Sequence, residues 1–221
     1  MIADNVFEIS NIVWTSLTVS TLAVVISALI GIPIGIIVGL SDERPRRLIM
    51  PVVHAGMALP PVVVGLVLYL LFSRSGVLGS LELLFTIKAM VIAQVILALP
   101  FVVGITVAAT RSIPSNLVWQ LESLGASRRQ IRWTILREVR GGIILAVASA
   151  FGRSMSEVGA VMIVGGNIAG QTRTMTTAIV LKTNEGHFGL ALWLAAILLV
   201  IALSVNIAIA RFQYVRSSDA K

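Results

Sequence analysis

The chain contains no cysteine, so it can build neither a disulfide framework nor a thiolate metal site. Its two histidines, His54 and His187, lie far apart in sequence, and no metal centre is expected. Charge is scarce: 12% of the 221 residues are Asp, Glu, Lys or Arg, roughly half the share of a soluble domain. Nucleotide and hydrolase motifs are missing too. Lys182-Thr183 follows Leu181 rather than a glycine loop, and neither His-Glu-x-x-His nor Gly-x-Ser-x-Gly occurs. No catalytic residue and no cofactor of the chain's own is therefore expected, and any energy for uphill work must arrive from a partner. The two halves show no repeat, which counts against an inverted-repeat carrier working alone. The first eleven residues hold Asp4 and Glu8 but no Lys or Arg, so no cleavable leader is expected.

What the chain has is apolar length. Hydrophobic residues make up 57%, and the formal net charge is +7. In so apolar a chain the basic excess points to loops beside anionic lipid, not to nucleic acid. Five stretches reach the roughly 20 apolar residues needed to cross a bilayer: about 12–40, 48–73, 89–110, 141–164 and 188–210. Backbone groups in lipid must be satisfied within the segment, and alternating barrel strands are absent, so an all-α, multi-pass integral membrane protein of one domain, 1–221, is predicted. Basic residues set its orientation. With the N-terminus outside, twelve cations fall inside: Arg44, Arg46, Arg47, Arg111, Arg128, Arg129, Arg132, Arg137, Arg140, Arg211, Arg216 and Lys221. Arg74, Lys88, Arg173 and Lys182 fall outside. The N-terminus is thus expected outside and the C-terminus in the cytoplasm.

Within the spans, Gly31, Gly35 and Gly39 form a flat ridge, suited either to packing inside one subunit or to a dimer seam. Pro60-Pro61 in the second span and Pro100 in the third free backbone carbonyls and bend the chain, for packing or for gating. In the fourth span Arg153 and Glu157 stand four apart, so they share a face and can pair. Ionisable residues at that depth are costly and face a bundle interior or a water path. Ser156 and Gly159 beside them keep the region slim. Pro60, Pro61, Arg153, Ser156, Glu157 and Gly159 are the candidates for a pathway or gate.

The loop 111–140 is the polar exception. Ile113-Pro114-Ser115-Asn116 is a helix start, and Leu117, Val118, Leu121 and Leu124 form an apolar stripe at helical spacing. Gly125 ends that helix, and Ser127 can cap a second one through Ile131 and Ile135. Such a helix–glycine–helix needs a surface to lie against.

Trp119 to Ser127, followed by Ile135, resembles the signature loop of permease subunits of ABC importers: Glu-Ala-Ala, three residues, Gly, nine residues, Ile-x-Leu-Pro. Gly125 and Ile135 match in identity and spacing, while Trp119-Gln120-Leu121 replace Glu-Ala-Ala and Arg137-Glu138 replace Leu-Pro. Leu59-Pro-Pro-Val-Val-Val-Gly65, Phe151-x-Arg153-x-x-x-Glu157-x-Gly159-Ala160, Gly166-Asn167-Ile168 and Gln171-Thr172-Arg173-Thr174 are similar to the molybdate, tungstate and sulfate group of these permeases. Val164-Gly-Gly-Asn-Ile168 and Asn184-Glu-Gly-His187-Phe-Gly189 are most like the tungstate branch. The resemblance implies a type I importer permease in a prokaryotic inner membrane, working as a homodimer. It also implies two copies of an ATP-binding subunit, which would hold ATP and Mg, and an external substrate-binding protein. Leu117, Leu121, Glu122, Ser123, Leu124, Gly125, Ala126, Ser127 and Arg128 would then couple to the ATPase, with Glu122 taking the place of the missing acid. Molybdate or sulfate as cargo, and an anion channel or carrier that needs no ATPase, are the open alternatives.

Overall fold

The computed structural model describes residues 2–114 and 116–218. Ser115 and Lys221 lie outside the described residues, as do the side chains of Arg132, Arg211 and Arg216. Among the described residues every regular element is helical: α1 (Ile2–Leu40), α2 (Glu43–Met57), α3 (Pro61–Phe72), a single 3-10 turn (Gly79–Leu81), α4 (Ile87–Arg111), α5 (Asn116–Ser123), α6 (Arg128–Glu138), α7 (Arg140–Ser156), α8 (Gly159–Gly165), α9 (Met175–Asn184) and α10 (Phe188–Ser218).

Helix α4 is the axis. It packs on α1 along most of its length, and α7, α2, α8 and α3 surround the rest. The small-residue ridge of α1 makes the close approach possible. A Cβ added at Gly35 would lie 2.6 Å from the Thr106 Cβ, and one at Gly39 would lie 2.6 Å from the Thr110 Cβ. That ridge is therefore filled within this chain. The largest buried cluster joins Val19 and Ala23 of α1, Leu68 and Phe72 of α3, Met90, Ala93 and Leu97 of α4, and Val161 and Val164 of α8. Helix α10 stays peripheral, packed on α9 and α7, with Leu192, Trp193, Leu199 and Val200 exposed.

Two of the five anticipated spans are broken, the second at the prolines expected to bend it. Helices α2 and α3 meet at a bend of 93°, and α7 and α8 at 59°. Three helices, α1, α4 and α10, are long and apolar enough to cross a membrane alone, and each bent pair adds one crossing if it acts as one span. The first break is local chemistry. Pro60 sits in extended backbone as the N-cap of α3 and Pro61 opens that helix, where a missing N–H costs nothing. Pro100, by contrast, lies inside an unbroken α4. At the second break Glu157 is extended (φ −74°, ψ 132°), and its neighbours satisfy the freed backbone, as described below.

Ends of helices share two faces. The C-termini of α1 and α4 line one cleft with the 111–135 segment. At the other end Asn11, Trp14 and Thr15 of α1 line a cleft with residues 81–88 and 170–172.

Candidate functional site

The 111–140 segment folds as an elbow. Leu121 C=O accepts from Ala126 N at 3.0 Å, and Glu122 C=O accepts from Gly125 N at 2.9 Å. With Gly125 left-handed at φ 74°, this is a Schellman closure of α5. Ser127 then caps α6 reciprocally: its Oγ accepts from Gln130 N, and Gln130 Oε1 accepts from Ser127 N at 2.7 Å. One arm is anchored and one projects. Ile131 and Ile135 of α6 are buried, and burying two such side chains stabilises the seat by about 3–6 kcal/mol in total. Among the described residues α5 has no buried residue.

The apolar surface of the projecting arm differs from the expected stripe. Leu117 and Leu121 are half-buried, whereas Leu124 is 83% and Trp119 76% exposed. A second tryptophan, Trp133, is 56% exposed on α6. Trp119 and Trp133 escape a reading by motif, because Trp119 registers only as a departure from Glu-Ala-Ala. The useful signal was bulk: two exposed indoles are the side chains that dominate protein contacts. Glu122, Ser123, Gly125, Ser127 and Arg128 are also exposed, and Ala126 is half-buried. A Cβ at Gly125 would meet nothing within 4 Å.

The membrane-depth candidates separate into two groups. Arg153 and Glu157 do not pair, contrary to the expectation of a continuous helix, because α7 ends at Ser156 and Glu157 leaves the helical face. Glu157 is 8% exposed and works as a brace. Its Oε1 accepts from Ala160 N at 3.1 Å, and its C=O accepts from Thr176 Oγ1 at 2.8 Å. The first bond serves a donor at the start of α8, the second a carbonyl released by the break, so irregular backbone is satisfied by protein. Gly159 and Ala160 receive α3: Cβ atoms added at Gly159 and Gly65 would lie 2.7 Å from Val62 Cγ2 and 2.8 Å from Ala160 Cα. The two helix breaks thus meet, with Val62 beside Gly159 and Pro60 exposed.

Arg153 is left without a carboxylate. Its guanidinium lies over the Phe101 ring of α4, 4.9 Å from the centroid, and its buried Nε has no partner. Such stacking contributes roughly 0.5–2 kcal/mol. A cation on the lipid-facing side of a mid-membrane helix costs about 2.5–3.5 kcal/mol even on the lowest scales. Stacking alone does not offset that, so this face of α7 must meet protein or water. Ser156 is exposed beside it, its Oγ donating to Arg153 C=O at 3.0 Å. Gln94 of α4 donates to Ser154 C=O at 2.9 Å and fixes the two helices in register.

At the far end, polar groups clamp the 165–187 segment. Ser16 Oγ accepts from Met175 N at 2.7 Å, Thr172 Oγ1 donates to Gly165 C=O at 2.5 Å, and Arg173 pairs with Glu8 at 3.1 Å. Glu185 accepts from Lys182 at 2.8 Å, and the His187 ring lies 3.2 Å from the same oxygen. These hydrogen bonds, that of Lys182 first, hold the Glu185 carboxyl below its ordinary value. Among the described residues no three His, Asp or Glu side chains gather to hold a metal ion.

Known proteins resemble this chain in sequence and in fold. Residues 31–215 match the model of the family described as "Binding-protein-dependent transport system inner membrane component". A Haloferax volcanii protein named "Probable anion ABC transporter permease protein" is 44% identical, over 95% of this chain and 92% of its own. The tungstate uptake system permease protein TupB of Peptoclostridium acidaminophilum is 39% identical, over 93% of this chain and 90% of its own. Among solved structures, an inward-facing MetNI methionine ABC transporter chain superposes with a TM-score of 0.77, covering 96% of this chain and 97% of its own at 17% identity. With its apolar helices, its paired breaks and its projecting elbow, the chain belongs to the family of binding-protein-dependent transport system inner membrane components, the permease subunits that lie in the prokaryotic inner membrane.

Proposed function

We propose that the chain is the permease of an ATP-driven importer of a tetrahedral oxyanion, tungstate first among them. Each bent helix pair counts as one span, giving five, with the N-terminus outside and the elbow and C-terminus in the cytoplasm. Two copies enclose the pathway. Two ATP-binding subunits seat α5 in their clefts and hold ATP and Mg, and an external binding protein delivers the anion. The chain itself is no enzyme. The observation that carries this reading is the elbow, with its closed backbone, one buried arm and the exposed indole and leucine of the other. An apolar tip rimmed by Arg128 and Arg129 suits a partner cleft with an acidic edge. ATP-driven closure of that cleft would move the tip, and the buried arm would pass the motion to α7. Identity to a tungstate uptake permease supports the cargo.

The test is reconstitution. An ATP-binding subunit should co-purify, ATP hydrolysis should rise with loaded binding protein, and vesicles should take up tungstate in preference to molybdate and sulfate. Uptake by vesicles holding this chain alone would favour a channel or carrier instead. A preference for molybdate or sulfate would keep the importer and change its cargo.

A further inference from the structure

We infer that Arg153, stacked on Phe101, is the anion-contacting group of the pathway, and that Glu157 is not part of it. The inference rests on the importer reading and names where in that pathway the anion meets positive charge. Four observations converge on Arg153. It stands thirteen residues beyond the start of α7 at Arg140, about 20 Å of helix rise, so it lies deep in the membrane. Its ring partner, Phe101, sits near the middle of α4. Its Nε is buried and unpartnered, and among the described residues no Asp or Glu pairs with it. The helix face beside it is small and polar: Ser156 is exposed, Ser149 is half-buried, and a Cβ added at Gly152 would meet nothing within 4 Å. A lipid-facing stripe would be bulky and apolar, as on α10. This stripe instead leaves room for water and an anion next to a fixed cation.

The division of labour follows from the break after Ser156. Had α7 continued, Glu157 would stand one turn above Arg153 and neutralise it. The bend turns Glu157 toward Ala160 and Thr176, and the guanidinium keeps its charge. Phe101 restrains the planar group from one side, so the N–H donors at its edge remain free for an oxyanion. A weak site of one cation suits transit, since an anion must also leave.

Because the chain lacks cysteine, Arg153→Cys installs the subunit's only thiol. In the assembled transporter, with label read on the separated permease subunit, a membrane-impermeant methanethiosulfonate should react with this thiol. Before treatment, tungstate uptake per ATP hydrolysed should fall at least tenfold. Treatment with the cationic trimethylammonium reagent should recover uptake at least threefold, and the anionic sulfonate reagent should not. A thiol that stays unreactive with and without ATP, recovery equal for both reagents, or loss of assembled complex with Arg153→Cys would each overturn the inference in favour of a packing role. Failure of the wild-type complex to transport at all would instead strike the importer reading.

Discussion

Replacing Gly125 tests how the elbow works. The residue is left-handed at φ 74°, and among the described residues no atom beyond its chain neighbours lies within 4 Å of an added Cβ. A substitution here is therefore felt through backbone conformation alone in the free permease. An L-residue with a Cβ pays about 1–2 kcal/mol to hold that conformation, and a β-branched one sits at the upper end. That corresponds to a roughly 5–30-fold fall in the ratio of closed to open elbow. Asparagine tolerates the left-handed region far better. Gly125→Val should thus lower both binding-protein-stimulated ATP hydrolysis and oxyanion uptake, by up to about that factor, while the permease stays in the membrane. Gly125→Asn should stay within about threefold of wild type, given its smaller conformational cost. The assay is both rates side by side in reconstituted vesicles. If Val and Asn were equally silent, the elbow's geometry would not matter to coupling. If they were equally damaging, the partner would be reading the bare surface at Gly125 rather than the turn.

Other substitutions probe the remaining parts. Ser127→Ala removes the reciprocal cap of α6 and should cost about 1 kcal/mol, seen as faster hydrogen exchange at the Gln130 amide. Gly35→Leu forces α1 away from Thr106, and overpacking of this kind costs about 1–3 kcal/mol or more; the yield of monodisperse protein should drop, and an unchanged yield would show that α1 and α4 do not meet there. Glu157→Ala leaves the Ala160 N–H buried and unpaired, at about 1–3 kcal/mol. Glu157→Gln keeps an acceptor and should be milder by thermal unfolding; equal losses would mean that the charge, not the brace, matters.

Features governed by neighbours in sequence were legible, and those governed by contacts across the fold were not. Gly125 and Ser127 fix the elbow by local rules, and the order of residues declares both. The Gly31, Gly35 and Gly39 ridge declared a close approach but not its partner, which α4 supplies through Thr106 and Thr110. Pro60-Pro61 marked a bend, while its 93° angle depends on α3 leaning over Gly159 and Ala160. Four-residue spacing would pair Arg153 with Glu157 on an unbroken helix. The pairing fails because Thr176, nineteen residues away, stabilises the broken form, and no periodicity encodes that. Leu117 and Leu121 looked equivalent to Leu124 on a helical wheel. Only the folded chain separates the half-buried pair from the exposed Leu124.

Coupling through the elbow requires its tip to enter an ATP-hydrolysing neighbour. With no cysteine in the chain, Leu124→Cys places one thiol on that tip, and a short bifunctional crosslinker can be applied to inside-out membranes. A crosslinked product between this permease and the ATP-binding subunit is expected, with a yield that changes when ATP is added. No such product, or a thiol blocked by impermeant reagent added outside intact cells, would contradict it.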